Sequence, residues 1–399
     1  MPDSREQEGQ LLWQPTEQQR SQSRIADYMV YLERTRGLRF EDYAHLYKWS
    51  VDAPGEFWAS IADYFEVAFS QRAPAGPSGA LPRAHWFEGA TLNYAEHALR
   101  QRGDEIAVVA QSESGARRTW TRAELAHDVA CARAGLRRLG VARGDRVAAF
   151  LPNGGEALIA FLATASLGAV WSSCAPEFGV SSVLDRFRQI EPKVLLTVTR
   201  YEYGGKSYER SADVSQVIQG LPSLSATVVV GDGAELLPGA LGFSALLAEL
   251  EPLSFEPVPF EHPIWVLYSS GTTGLPKAIV HGHGGMLLEH LKALALHMDL
   301  GDKDTFFWFS TTGWMMWNML VSGLLVGARI VLYDGSPAHP GLDALWKLAE
   351  DEQISYFGVS APYLLACQKA GISPRRRHDL SRIRGLGTTG APLPADGFA

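Results

Sequence analysis

From about residue 104 onward, short apolar runs rich in β-branched residues alternate with helix-like stripes, and this alternation restricts the possible folds more than any other feature. Ile106 to Ala110 and Val147 to Leu151 read as buried strands. Between them Thr121 starts a helix, with Glu124 at capping-box spacing and Leu125, Val129, Leu136 and Leu139 as its apolar stripe, ending at Gly140. Further helices are predicted near Glu156 to Ser166, Val180 to Gln189, Gly285 to His297, Leu342 to Asp351 and Pro362 to Lys369. The strands between and after them are Ala169 to Ser172, Val194 to Val198, Ile264 to Tyr268, Ile330 to Tyr333, Ser355 to Gly358 and Ile383 to Gly387. Repeated βα units of this kind predict an α/β fold of mainly parallel sheets flanked by helices.

Residues 1–90 read as a leader or cap packed on the core, with clustered aromatics including Tyr43, Tyr47, Trp49, Phe57, Trp58, Tyr64 and Phe65. The Pro/Gly/Ser stretch Ala73 to Pro82 separates it from residues 91–399. Thr305 to Ala328 carries no charge and could span a bilayer by length, but Ser310, Thr311, Thr312, Gly313, Asn318, Ser322, Gly323 and Gly327 interrupt it. A buried strand, a turn and a buried helix account for it, and no membrane span is expected. The opening stretch Met1 to Ile25 has no signal-peptide core. With 36 Lys+Arg against 44 Asp+Glu the net charge is −8, which removes the usual electrostatic footprint of a nucleic-acid binder. The three cysteines, Cys131, Cys174 and Cys367, are too few and too far apart for a disulfide framework, and a reducing, cytoplasmic setting is expected.

The stretch most informative about chemistry is Ile264-Trp-Val-Leu-Tyr-Ser-Ser-Gly-Thr-Thr-Gly-Leu-Pro-Lys277. An apolar strand empties into Ser269, Ser270, Gly271, Thr272, Thr273 and Gly274, and then into Lys277. Glycines let backbone N–H groups turn inward as an anion nest, hydroxyls add donors, and the lysine supplies a compact positive charge. The alternative is a solvated turn between two strands, which needs only two to five residues. A Walker A loop is excluded, because Arg200 stands where its first glycine would precede Gly205-Lys206-Ser207.

The string Ser-Ser-Gly-Thr-Thr-Gly-Leu-Pro-Lys resembles the phosphate-binding signature of the adenylate-forming superfamily. Arg118-Thr-Trp-Thr-Arg-Ala-Glu-Leu125, Ala165-Ser-Leu-Gly-Ala-Val-Trp171 and Gly387-Thr-Thr-Gly-Ala-Pro-Leu393 resemble its other core motifs, in the same order. Within the superfamily the chain is most similar to the acetoacetate–CoA ligase family. That resemblance rests on Leu46-Tyr-Lys-Trp-Ser-Val51, Leu92-Asn-Tyr-Ala-Glu96, Trp171-Ser-Ser-Cys-Ala-Pro-Glu-Phe-Gly179, Val183-Leu-Asp-Arg-Phe187, Gly313-Trp-Met-Met-Trp-Asn318 and Leu332-Tyr-Asp-Gly-Ser-Pro337.

The resemblance implies an adenylation N-terminal domain in residues 91–399, using ATP with Mg²⁺ and CoA to activate acetoacetate as an acyl-adenylate. Lys277 and Thr272 take catalytic roles on the leaving phosphates, with Ser269, Ser270, Gly271, Thr273 and Gly274 completing the cradle. Gly390, Ala391 and Pro392 contact the nucleotide, the small side chain at 391 leaving only a backbone contact. Trp314, Met315 and Met316 line a short acid pocket, although such residues taken alone are usually core. Gly204-Gly-Lys206 and Arg200 occupy a region that contacts the CoA 3′-phosphate in related short-chain synthetases; a surface turn with solvated charges is the alternative. Phe178 and Gly179 fall along the pantetheine path. No metal site is expected, since His281, His283, Glu289 and His290 lack a well-spaced third ligand, and His281 is read as a hydrogen-bonding support. The family pattern continues past residue 399 into ribose-binding and carboxylate-binding residues and a mobile C-terminal domain. On that pattern the chain is a truncated N-terminal portion with little ligase activity by itself. A short-chain acyl-CoA synthetase for acetate, propionate or butyrate, and a non-catalytic nucleotide-binding fragment, are the alternatives; oligomeric state is not legible.

Overall fold

The computed structural model describes residue 11 and residues 13–79, 83–269 and 274–398. Among the described residues the expected βα units are divided between two large sheets. The seven-stranded sheet runs, in spatial order, Leu241–Gly242, Ala226–Val229, Val194–Thr197, Arg146–Phe150, Val170–Cys174, Pro263–Ser269 and Lys277–Gly282. It is parallel throughout except for its last pair, where Lys277–Gly282 returns antiparallel. The six-stranded sheet runs Gly385–Thr389, Tyr356–Ser360, Thr305–Trp308, Arg329–Asp334, Ile106–Ser112 and Arg117–Thr121, again parallel up to one antiparallel edge strand.

Successive strand residues point to opposite faces, and the packing follows that period of two. Val147 and Ala149 enter a central cluster, while Ala148 and Phe150 face the opposite side. Val108, Phe306 and Ile330 of the six-stranded sheet enter the same central cluster, and Val109, Phe307 and Val331 face away from it. The two sheets therefore share one core, each with helices on its outer face. Helix Gly155–Ser166 lies in that shared core and is buried along its length. Its first residue must be small, because a Cβ at Gly155 would come within 2.2 Å of the Trp120 ring.

Helix Arg122–Arg138 forms where the sequence predicts it. The Thr121 side chain accepts from the Glu124 N–H and the Glu124 carboxylate accepts from the Thr121 N–H, which is the expected capping box. Thr305 to Ala328 resolves into strand Thr305–Trp308, helix Met315–Val321 and a 3₁₀ turn Ser322–Val326, as expected. Among the described residues no helix is long and apolar enough to cross a membrane. In the leader, Tyr28 and Leu32 of helix Arg24–Arg36 and Ile61 of helix Pro54–Tyr64 join the central cluster. Tyr43 and Tyr47, by contrast, are exposed.

Candidate active site

In open α/β sheets the crevice at the carboxyl ends of the strands is the usual place for ligands. The strand Pro263–Ser269 ends there, and Lys277 opens the return strand opposite Ser269. Ser270, Gly271, Thr272 and Thr273 lie outside the described residues. The segment between Ser269 and Lys277 joins two antiparallel strands, a topology the sequence analysis had attached to the solvated-turn alternative. Gly274 holds φ +138°, Lys277 is exposed, and the Pro276 carbonyl accepts from Gln189 Nε2 at 2.9 Å.

The hairpin is anchored from below. Trp265 is fully buried and donates from Nε1 to His281 Nδ1 at 2.9 Å. His281 Nδ1 is thus an acceptor, and burial lowers the pKa of the ring below the ordinary histidine value. Trp265 in turn stacks on the buried His290, whose Nδ1 lies 2.6 Å from Ser322 Oγ.

A chain of contacts leads from this hairpin to the other predicted motifs. The Tyr268 hydroxyl donates to the Arg186 carbonyl at 2.8 Å, and the Arg186 guanidinium lies over both the Tyr268 and Phe178 rings. Phe178 packs against Gly313, where a Cβ would meet its ring at 3.3 Å. Next along the chain, the Trp314 ring lies 3.6 Å from the Cβ position of Gly390. Side chains from segments more than 120 positions apart are thereby linked by packed contacts.

The Trp314 segment follows strand Thr305–Trp308 of the six-stranded sheet and is pinned by residues in or just after strands of the seven-stranded one. Ser173 Oγ donates to the Thr312 carbonyl at 2.6 Å, and Thr312 Oγ1 to the Leu151 carbonyl at 2.7 Å. Asn153 Nδ2 donates to the carbonyls of Ser310 and Tyr333, while its Oδ1 accepts from Trp317 Nε1 at 3.0 Å. Of the three expected acid-pocket residues, Trp314 is half-buried, Met315 is 47% exposed and Met316, at 4%, packs into the central core. Gly390, at φ +91°, Ala391 and Pro392 are exposed just past strand Gly385–Thr389. Lys206 is exposed on a separate hairpin, Arg200–Tyr203 with Lys206–Glu209.

Four residues without an assigned role in the sequence analysis border or support this region: Asn153, Arg186, Glu113 and Asp334. A cavity beside the Trp314 segment is lined by Asn153, Glu177, Tyr201, Tyr203, Thr311 and Asp334. Burial, reinforced by the nearby Glu177, Glu113, Glu202 and Glu156, raises the Asp334 carboxyl to about 7. Asp334 lies within Leu332 to Pro337 and Arg186 within Val183 to Phe187, but the burial of the one and the ring contacts of the other are tertiary and leave no local signal. Among the described residues no group of three or more His, Cys, Asp or Glu side chains is arranged to hold a metal ion.

The chain matches the AMP-binding enzyme family model over residues 95–398 and the acetyl-coenzyme A synthetase N-terminus model over residues 43–98. It is 41% identical to the acetoacetyl-coenzyme A synthetase of Rhizobium meliloti (strain 1021), over 97% of this chain and 61% of that protein. It is 35% identical to the malonamoyl-CoA synthetase vrtB of Penicillium aethiopicum, over 98% of this chain and 58% of that protein. A solved structure of acetoacetyl-CoA synthetase from Streptomyces lividans is similar at a TM-score of 0.94 and 50% identity, covering 98% of this chain and 61% of that one. The chain thus spans about three-fifths of the length of these relatives.

Proposed function

Because the chain belongs to the AMP-binding enzyme family, we propose that it supplies a large part of the nucleotide and acid sites of an ATP-dependent ligase joining acetoacetate to CoA, with AMP and pyrophosphate released. A carboxylate is a poor electrophile, so one of its oxygens must first become part of a leaving group. Attack of that oxygen on the α-phosphorus of MgATP forms the acyl-adenylate and expels pyrophosphate. The CoA sulfur then attacks the acyl carbon, losing its proton, and AMP departs.

Charge builds on the departing β- and γ-phosphates in the first step, so donors already in place there act on the transition state. In this reading Lys277 and the Ser269–Gly274 stretch meet those phosphates, and Gly390 to Pro392 meet the nucleoside. Magnesium enters on the nucleotide, held by phosphate oxygens and water, which asks few ligands of the protein.

The observation that supports the reading is the run of packed contacts that leads from Tyr268, through Arg186 and Phe178, to the Trp314 segment and Gly390. The acids named for two relatives, acetoacetate and malonamate, both place a carbonyl two carbons from the carboxylate. Trp314 is bulky enough to limit the pocket to acids of about that length. Titration calorimetry on the folded chain tests this: MgATP binds, and acetoacetate then binds more tightly than butyrate. No heat of MgATP binding would refute the ligase reading. Trp314→Gly is expected to admit longer acids, and an unchanged preference in that variant would move the pocket elsewhere.

A further inference from the structure

The turn of the hairpin carrying Lys206 is Gly204-Gly205, with both residues in the left-handed region at φ +62° and +73°. Their N–H groups donate to the two oxygens of one carboxylate, Gly204 to Glu113 Oε2 at 2.9 Å and Gly205 to Oε1 at 2.8 Å. A third donor, the Ser336 N–H, reaches Oε2 at 2.8 Å. Glu113 directly follows strand Ile106–Ser112, and Ser336 follows Arg329–Asp334, both in the six-stranded sheet. The hairpin itself leaves the seven-stranded sheet after Val194–Thr197. One side chain therefore ties an arm of one sheet to two strand ends of the other.

The surroundings are shaped around this contact. A Cβ at Gly335, where φ is +143°, would come within 2.5 Å of Glu113, and a Cβ at Gly205 within 2.6 Å of the His339 ring. Partial burial works against the charged form of Glu113. The three N–H donors and His339 outweigh it, holding the carboxyl below the usual glutamate range. The rest of the arm has little packing: its residues are exposed apart from the half-buried Tyr201, which stacks on Tyr208.

Tyr201 and Tyr203 nevertheless form a wall of the cavity lined by Asn153 and Thr311, next to the Trp314 segment. We propose that Glu113 is a positioning residue: by clasping the turn it holds that wall in place and keeps Lys206 and Arg200 at the rim, for the phosphates of the incoming thiol substrate. This rests on the ligase reading above. Without the clasp the arm is tethered mainly at its base. Each phosphate contact then has to order the arm as well as the ligand, and affinity falls accordingly.

Two measurements on Glu113→Gln decide it. Amide hydrogen exchange at Gly204 and Gly205 accelerates about tenfold or more, since charge-assisted hydrogen bonds are lost. CoA affinity by calorimetry falls about tenfold, while MgATP affinity stays at the wild-type value. Glu113→Asp, which keeps the charge, recovers part of both effects. Should Glu113→Gln fail to fold, Gly205→Ala breaks the same clasp from the turn side and is expected to give the same split. Wild-type exchange rates in a folded variant, or CoA affinity indifferent to a loosened arm, overturn the proposal. Failure of MgATP to bind the wild-type chain counts instead against the ligase reading.

Discussion

Asp334 closes a central strand of the six-stranded sheet and lines the cavity shared with Asn153 and Tyr201, and its environment has a thermodynamic consequence that can be measured. Burial and the neighbouring carboxylates raise its pKa to about 7 from the ordinary 3.8. Between those two values the folded protein keeps a proton that the unfolded chain gives up, so stability falls as pH rises through that window. The cost is fully expressed above pH ~7 and is on the order of 4 kcal/mol. Asp334→Asn removes it, so its thermal stability relative to wild type is expected to grow between pH 5 and pH 8. An equal offset at both pH values would mean that the carboxyl is not buried as a neutral acid. Lys277 belongs to the same scale. Its ammonium is exposed at the start of the return strand, and Lys277→Ala is expected to weaken MgATP binding about tenfold. Unchanged calorimetric affinity would remove Lys277 from the phosphate site. The two residues also mark what a sequence reveals. Lys277 stands out in the sequence because it follows a Gly/Ser/Thr-rich run, and the structure adds that it opens an antiparallel return strand. Asp334 and Glu113 do not stand out, because their properties come from carboxylates and N–H groups brought up by distant segments.

At the level of elements, local chemistry was read well where it is self-contained. The Thr121–Glu124 pair announces a helix start, and both hydrogen bonds of the box form. Thr121→Ala is expected to cost about 1 kcal/mol in chemical denaturation without altering the cooperativity of the transition. No measurable loss would mean that tertiary packing alone fixes that end of the helix. What escaped was the antiparallel edge of each sheet, Arg117–Thr121 and Lys277–Gly282. Arg117–Thr121 is mostly polar, and Lys277–Gly282 offers only the three-residue apolar run Ala278 to Val280, shorter than the runs that mark the buried parallel strands beside them. The same weakness explains the ambiguity over the Ser269–Lys277 connection. An edge hairpin and a phosphate loop are alternatives only when the return strand is invisible; here one segment is the connection of the first and the candidate for the second.

For the molecule as a whole, the alternation of strands and helices indicated an α/β architecture but could not divide the strands between two sheets. A two-residue period says which side chains share a face, not which sheet that face opposes. The division matters because the core between the sheets is common property: Trp171 and Val194 from one and Phe306 and Ile330 from the other belong to a single cluster with leader residues Tyr28 and Leu32. Neither sheet can lose its inner face without stripping the other, so the described chain is expected to unfold in one transition. The Trp314 segment inherits that coupling, since Thr312 and Trp317 are held by Leu151, Asn153 and Ser173 across the sheet boundary. A ligand seated there stabilises both halves together. At a hundred times its dissociation constant, MgATP adds about 2.7 kcal/mol, which for a chain of 399 residues corresponds to a rise of about 3 °C in the melting temperature. Scanning calorimetry is expected to show the entire endotherm moving by that amount. If it splits instead, with one component moving and one staying, the two sheets unfold separately and the shared core does not couple them.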